Sequence, residues 1–197
     1  MTTGPERIAL FGGSFDPPHC GHLAIAQAAV EQCGLQRVIF IPCQESPLKG
    51  KPSVASGTDR MAMLRLAIDC LPWASVSDEE LSRPGPSYSW QTAEHFANTH
   101  PDAMLHWLMG VDQWAALDRW ARPDILRERL TFIVFARDGA QPAARGGWRP
   151  VFLSGEFPGS STEARRRLAA GESTAGLVPA EVSEYAISAR LYLPADQ

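Results

Sequence analysis

The 197-residue chain is 45% hydrophobic and 20% charged, the balance of a single globular α/β domain over 1–197 with a sizeable core and little room for a second. Its 22 acidic against 18 basic residues leave a net charge of −4, so no basic field is available to hold a nucleic-acid backbone. Polar Gly4-Pro5-Glu6-Arg7 arrives almost at once and no apolar stretch approaches the roughly 18 residues of a membrane span, so a soluble, cytoplasmic protein with neither nucleic acid nor membrane as partner is expected.

In chain order, Arg7-Ile8-Ala9-Leu10-Phe11 is a short apolar run closed by Gly12-Gly13, which predicts a buried strand feeding a glycine turn. After Pro17-Pro18 the apolar positions Leu23, Ala26, Val30 and Cys33 recur at helical spacing until Gly34, a suitable left-handed stop. Arg37-Val38-Ile39-Phe40-Ile41 predicts a second strand and completes a strand–helix–strand unit. Ser56-Gly57-Thr58-Asp59 has the form of a capping box ahead of the stripe Met61, Leu64 and Ile68. A weak strand near Ala74 to Ser77, the Pro84-Gly85-Pro86 loop and a helix from about Ser87 to His100 follow. Met104 to Met109 and Thr131 to Ala136 read as two more buried strands, with Trp107 in the core. This alternation predicts a Rossmann-like, doubly wound, mostly parallel sheet with helices on both faces and ligands beyond the strand C-terminal ends. Asp138 to Arg149 and Pro47 to Ser56 are the segments with the least regular pattern.

Cys20, Cys33, Cys43 and Cys70 lie far apart without a C-x-x-C pair, which suits reduced thiols. His19, Cys20 and His22 have no later Cys/His pair to complete a tetrahedral site, and no protein metal site is expected.

The chemistry concentrates where the first strand hands over to its helix, in Gly12-Gly13-Ser14-Phe15-Asp16-Pro17-Pro18-His19-Cys20-Gly21-His22. Glycines there let backbone approach a ligand, and the following helix aims free N–H groups and its positive dipole end at an anion. His19 and His22, three residues apart at a helix start, can both face that anion and donate to phosphate oxygens. A dinucleotide dehydrogenase would need G-x-G-x-x-G at this place, and the segment lacks it. Ser160 and Glu163 have capping-box spacing, so Ser160 to Arg165 should open a helix that presents N–H groups, hydroxyls and a guanidinium. There Ala164 and Leu168 would face the core and Arg166 and Arg167 solvent.

Gly12 to His22 resembles the G-G-x-F-x-P-x-H-x-G-H signature of nicotinate mononucleotide adenylyltransferases, within the nucleotidyltransferase superfamily that carries H-x-G-H. Pro86-Ser87-Tyr88-Ser89 with Thr92, Gly110-Val111-Asp112 followed by Trp120, and Ser160-Ser161-Thr162-Glu163-Ala164-Arg165 resemble the family's later motifs in the same order. The resemblance implies in-line attack by the phosphate of nicotinate mononucleotide on the α-phosphorus of ATP, with Mg²⁺ accompanying ATP. It implies that His19, His22 and Arg165 stabilise charge. Gly12, Gly13, Ser14, Phe15, Gly110, Asp112, Arg137, Ser160, Ser161 and Thr162 would serve ATP, and Lys49, Tyr88, Ser89 and Trp120 the acceptor. Two departures bear on the acceptor: Ser46-Pro47-Leu48-Lys49 lacks a histidine common in relatives, and Ser89 stands where threonine is usual. Transfer to nicotinamide mononucleotide or phosphopantetheine, and ATP binding without turnover, are the alternative readings. Homo-oligomerisation is left open.

Overall fold

The computed structural model describes residues 4–47, 52–136, 145–148 and 150–193. Its first strand–helix–strand unit is β1 (Arg7–Gly13), α1 (Cys20–Cys33) and β2 (Arg37–Pro42). Gly34 ends α1 in the left-handed conformation, φ 60°, with its N–H on the Val30 carbonyl, the stop its position predicts. There follow α2 (Gly57–Ile68), β3 (Ala74–Val76), α3 (Glu79–Ser82) and α4 (Ser89–Thr99). The second half contains β4 (Met104–Gly110), α5 (Val111–Ala115), a 3-10 turn at Leu117–Arg119, α6 (Pro123–Arg129) and β5 (Thr131–Phe135), then β6 (Val151–Leu153), α7 (Ser161–Ala170) and α8 (Ala180–Ser188). The sequence pattern did not signal α3, α5, α6, β6 or α8. The irregular segment expected at Asp138 to Arg149 falls largely outside the described residues, as do Leu48 and Lys49.

The described strands form one wholly parallel sheet in the order β3-β2-β1-β4-β5-β6. Strand residues alternate between its two faces, as a period of two requires. From β1, Ala9 and Phe11 join Val38, Phe40, Ile133 and Phe135 against α1 and α2. Ile8 and Leu10 go to the opposite face with Ile39, Trp107, Met109 and Val134, against α4, α5 and α6. Two apolar clusters on opposite sides of one sheet are the physical content of double winding. A third, smaller cluster joins Met63 of α2 to Ala164 and Leu168 of α7 and to Val182 and Ala186 of α8. It holds α7 at a fixed angle beside the sheet.

The chain changes winding direction between β1 and β4, which opens a crevice at the C-terminal ends of these neighbours. Both strands end in glycine there. A Cβ on Gly12 would lie 3.0 Å from the Trp107 ring, and one on Gly110 3.3 Å from the Phe135 ring. The small residues keep the crevice open to backbone approach.

Candidate active site

Two cavities adjoin over this crevice, a larger one of about 740 Å³ and a smaller one of about 410 Å³. The larger brings together His19, His22, Gly110, Asp112, Ser160, Ser161, Thr162 and Arg165. Tyr88, Ser89 and Trp120 line the smaller, and Gly12, Gly13 and Ser14 belong to both. Lys49 and Arg137 lie outside the described residues. Phe15 is placed differently from its expected position along the nucleotide's path. It lines neither cavity, is 1% exposed, and packs its ring edge-on against Phe11, Phe40 and His22. The ring supports the turn from below: a Cβ on Gly13 would meet it at 3.0 Å.

The two histidines cap the helix they open. His19 occupies the N-cap of α1 and accepts the His22 N–H on Nδ1 at 3.3 Å, while His22 Nδ1 accepts the His19 N–H at 3.1 Å. Reciprocal capping satisfies two N–H groups that a helix start would otherwise leave unpaired. It also settles the tautomers. An Nδ1 that accepts carries no proton, so each neutral ring holds its proton on Nε2 as a donor. The rings stack with centroids 3.6 Å apart at 21°, which aligns the pair.

The α7 start is locked onto this turn. Ser160 caps α7 by accepting the Glu163 N–H at 3.3 Å. Ser161 Oγ donates to the Pro17 carbonyl at 2.9 Å and Arg165 Nη1 to the Asp16 carbonyl at 2.6 Å. A Cβ on Gly21 would stand 2.4 Å from the Pro158 carbonyl oxygen, and one on Gly159, whose φ is +151°, 2.5 Å from His19 Nδ1. The glycine of H-C-G-H therefore exists so that the chain ahead of α7 can lie against α1. Ala164 and Leu168 are buried as expected. Arg166 and Arg167 turn outward, paired with Glu163 at 2.9 and 2.8 Å, and Arg166 also meets Glu172 at 2.7 Å. These two arginines hold the Glu163 carboxyl well down, at about 2.

Asp16 went unnoticed in the sequence although it sits inside the signature turn and lines the larger cavity. It is 4% exposed, and its carboxylate accepts from Val54 N at 2.6 Å, Ala55 N at 3.1 Å and the Tyr192 hydroxyl at 2.8 Å. Burial and then the Asp16 charge push the Tyr192 phenol upward. Buried Arg60 donates to the Ser14 carbonyl at 2.9 Å and the Ala55 carbonyl at 3.3 Å, tying α2 to the same turn.

A match to the family model described as cytidylyltransferase-like extends over residues 10–167, most of the chain and all four motifs. The chain belongs to that family. Among curated relatives it is similar to a protein of Methylacidiphilum infernorum, 38% identical over 95% of this chain and 93% of the relative. One of Symbiobacterium thermophilum is 39% identical over 95% of both. Each is named "Probable nicotinate-nucleotide adenylyltransferase". In fold it is similar to the Plasmodium falciparum nicotinic acid mononucleotide adenylyltransferase complexed with NaAD, with a TM-score of 0.76 at 18% identity, covering 95% of this chain and 97% of that one.

In this cytidylyltransferase-like chain the smaller cavity has walls the motifs did not reveal. Trp107 is core, as expected, and also cavity wall, edge-to-face with Trp120 at 6.0 Å. Glu80, 3% exposed, is a buried acid in the same wall. Thr92 Oγ1 accepts from Arg83 at 2.8 Å and donates to Glu80 at 2.7 Å. Ser87 Oγ accepts from Gln44 N at 2.9 Å and directs its own proton to Glu80. Nothing periodic in Glu79-Glu80-Leu81-Ser82 marks the second glutamate as buried.

Two outcomes are expected. His19→Ala should lower stability by about 1 kcal/mol or more through loss of the N-cap, and His19→Asn should recover most of it. Urea denaturation of the three proteins checks this, and equal losses in both variants would remove the capping role. Burial pushes the Glu80 carboxyl up, against hydrogen bonds from Thr92 and Ser87 and the charge of Arg83, while neighbouring Glu79 reinforces the rise. A carboxyl raised on folding contributes its full stability below its ordinary value of 4.5 and loses it as pH climbs through the raised value. Thermal midpoints of Glu80→Gln relative to the parent should therefore rise as pH climbs above about 4.5 through the raised value. A pH-independent difference would contradict it.

Proposed function

We propose that the protein transfers the adenylyl group of ATP to nicotinate mononucleotide, producing nicotinate adenine dinucleotide and pyrophosphate in NAD biosynthesis. The observation that carries this reading is the pair of adjoining cavities sharing Gly12, Gly13 and Ser14, the larger of them bordered by two helix N-termini. One chamber suits a polyphosphate, the other an aromatic ring between tryptophans, and a reaction between their occupants must occur at the shared turn. The names of the relatives support the choice of substrates.

In the step itself an acceptor phosphate oxygen forms a new bond to the α-phosphorus of ATP. The bond to the oxygen bridging the α- and β-phosphorus breaks, and its electron pair leaves with pyrophosphate. A phosphate monoester has its second pKa near about 6, so it is largely dianionic at neutral pH and needs no general base. What the protein supplies is position and fixed positive charge. His19 and His22 donate through Nε2, Arg165 adds its guanidinium, and Ser160, Ser161 and Thr162 with the first N–H groups of α7 complete the cradle. Gly110 and Asp112 serve the nucleoside. Tyr88, Ser89 and Trp120 hold the nicotinate ring, and the family resemblance assigns Lys49 to its phosphate and Arg137 to the nucleotide. Among the described residues no group of three or more His, Cys, Asp or Glu side chains could hold a metal ion. Mg²⁺ would travel with the ATP phosphates, which suits an ion that keeps most of its waters. No described helix is long and apolar enough to cross a membrane.

An assay with ATP, Mg²⁺ and each candidate acceptor, following pyrophosphate, tests the reading, and absence of product with nicotinate mononucleotide would reject it. His22→Ala should slow turnover by about 100- to 1,000-fold, the loss seen for one preorganised donor. Arg165→Ala should be far more damaging than Arg166→Ala or Arg167→Ala, because the latter two face away and are held by Glu163 and Glu172. Equal losses in all three would indicate a diffuse electrostatic patch instead.

The acid should be used with higher kcat/KM than nicotinamide mononucleotide. No side chain caps α4, whose first N–H groups lie beside Tyr88 and Ser89 and can accept a carboxylate but offer an amide NH₂ no acceptor. Glu80 lines the same wall, but its carboxyl is already engaged by the Thr92 and Ser87 hydroxyls rather than turned to the amide NH₂. An unpaired buried amide costs about 1 to 3 kcal/mol, so the expected preference is about tenfold to a hundredfold. Side-by-side steady-state kinetics measure it, and equal or reversed efficiencies would refute acid selection while leaving adenylyl transfer intact.

A further inference from the structure

We infer that Gln113 is a further catalytic residue, whose side-chain amide donates hydrogen bonds to the phosphoryl group as it passes from one cavity to the other; this rests on the adenylyl-transfer reading above. The cavities have four residues in common, Gly12, Gly13, Ser14 and Gln113. Three belong to the glycine turn at the end of β1. The fourth comes from α5, immediately beyond the end of the neighbouring strand β4, and among the described residues common to both cavities it alone brings a long polar side chain to the junction.

Its orientation is set locally. Gln113 Oε1 accepts the Gly110 N–H at 3.3 Å, closing the i,i+3 loop at the start of α5. With the carbonyl oxygen turned to the helix start, Nε2 and its two protons are the part of the amide left for the junction, and among the described residues nothing accepts from them. The in-line step adds charge to the non-bridging oxygens of the α-phosphoryl group at this place. Backbone N–H groups of the turn reach them from the β1 side, and Gln113 supplies donors from the β4 side. Donors placed on both flanks resist drift of the phosphorus off the line between attacking and leaving oxygens. No proton is transferred by the amide. The pH profile of turnover is therefore independent of it.

Gln113→Glu is the informative variant, because it keeps the side-chain length and an acceptor for Gly110 N–H while replacing both donors with negative charge. Expected is a fall in kcat with nicotinate mononucleotide of about 100-fold or more for Gln113→Glu and about tenfold for Gln113→Ala. In Gln113→Ala the KM for ATP and the pH profile should stay near those of the parent, and in Gln113→Glu so should the thermal midpoint. Parent-like kcat in Gln113→Glu would overturn the proposal, and so would equal losses in both variants accompanied by equal drops in thermal midpoint, which would mark a purely structural role. Failure of the unsubstituted protein to form any dinucleotide would instead remove the adenylyl-transfer reading on which the proposal stands.

Discussion

The close approach of the Pro158–Gly159 backbone to Gly21 and His19 is the contact on which the crevice depends. It is possible only because two of these positions lack a Cβ, and it sets the N-termini of α1 and α7 side by side. Two helix starts so arranged concentrate unpaired N–H groups and like partial charges at one point, a disposition that costs free energy until an anion lies between them. The molecule offsets part of that cost internally: His19 and His22 cap each other's backbone, Ser160 caps α7, and Ser161 and Arg165 find carbonyls of the signature turn. An anion between the two helix starts would supply the remainder. The site is strained electrostatically toward its ligand rather than merely shaped for it.

The rest of the fold serves that approach. Alternation along the strands gives the sheet two apolar faces, and the helices packed there keep the ends of β1 and β4 rigid. The third cluster is different in kind. It touches no central part of the sheet and joins α2, α7 and α8, so that Arg165 is carried on a helix braced from behind by Ala164 and Leu168. Packing therefore decides which of three consecutive arginines lines the larger cavity, and ion pairing with Glu163 and Glu172 holds the other two away.

Much of this was legible from residue order, and the reason is locality. Gly34, Ser56 and Ser160 act on backbone within a few residues of themselves, so their cap signals translate directly into observed caps. The H-x-G-H turn was legible as a helix start for the same reason, and its histidines prove to cap that helix. What escaped is nonlocal. Asp16 looks like an ordinary turn residue until Val54, Ala55 and Tyr192 arrive from elsewhere, and Glu80 looks like surface charge until Ser87 and Thr92 fold over it. β6 is three residues long with Val151 and Phe152 half exposed on the sheet edge, too short for a period to show. Phe15 belongs to the signature motif, yet its ring lines neither cavity and carries the turn from beneath, a placement that only the packing of Phe11, Phe40 and His22 decides.

The Asp16–Tyr192 hydrogen bond joins positions 176 apart in sequence, and Arg165 closes on the Asp16 carbonyl across 149. During synthesis the signature turn leaves the ribosome well before the partners that finish it, which follow 149 and 176 residues later. Strands β1 and β2 can pair early, because the unit is local, but the turn between them must wait in an incomplete form with its aspartate hydrated. Vectorial synthesis thus separates assembly of the sheet from completion of the nucleotide chamber. A growing chain can acquire its scaffold well before the chamber closes.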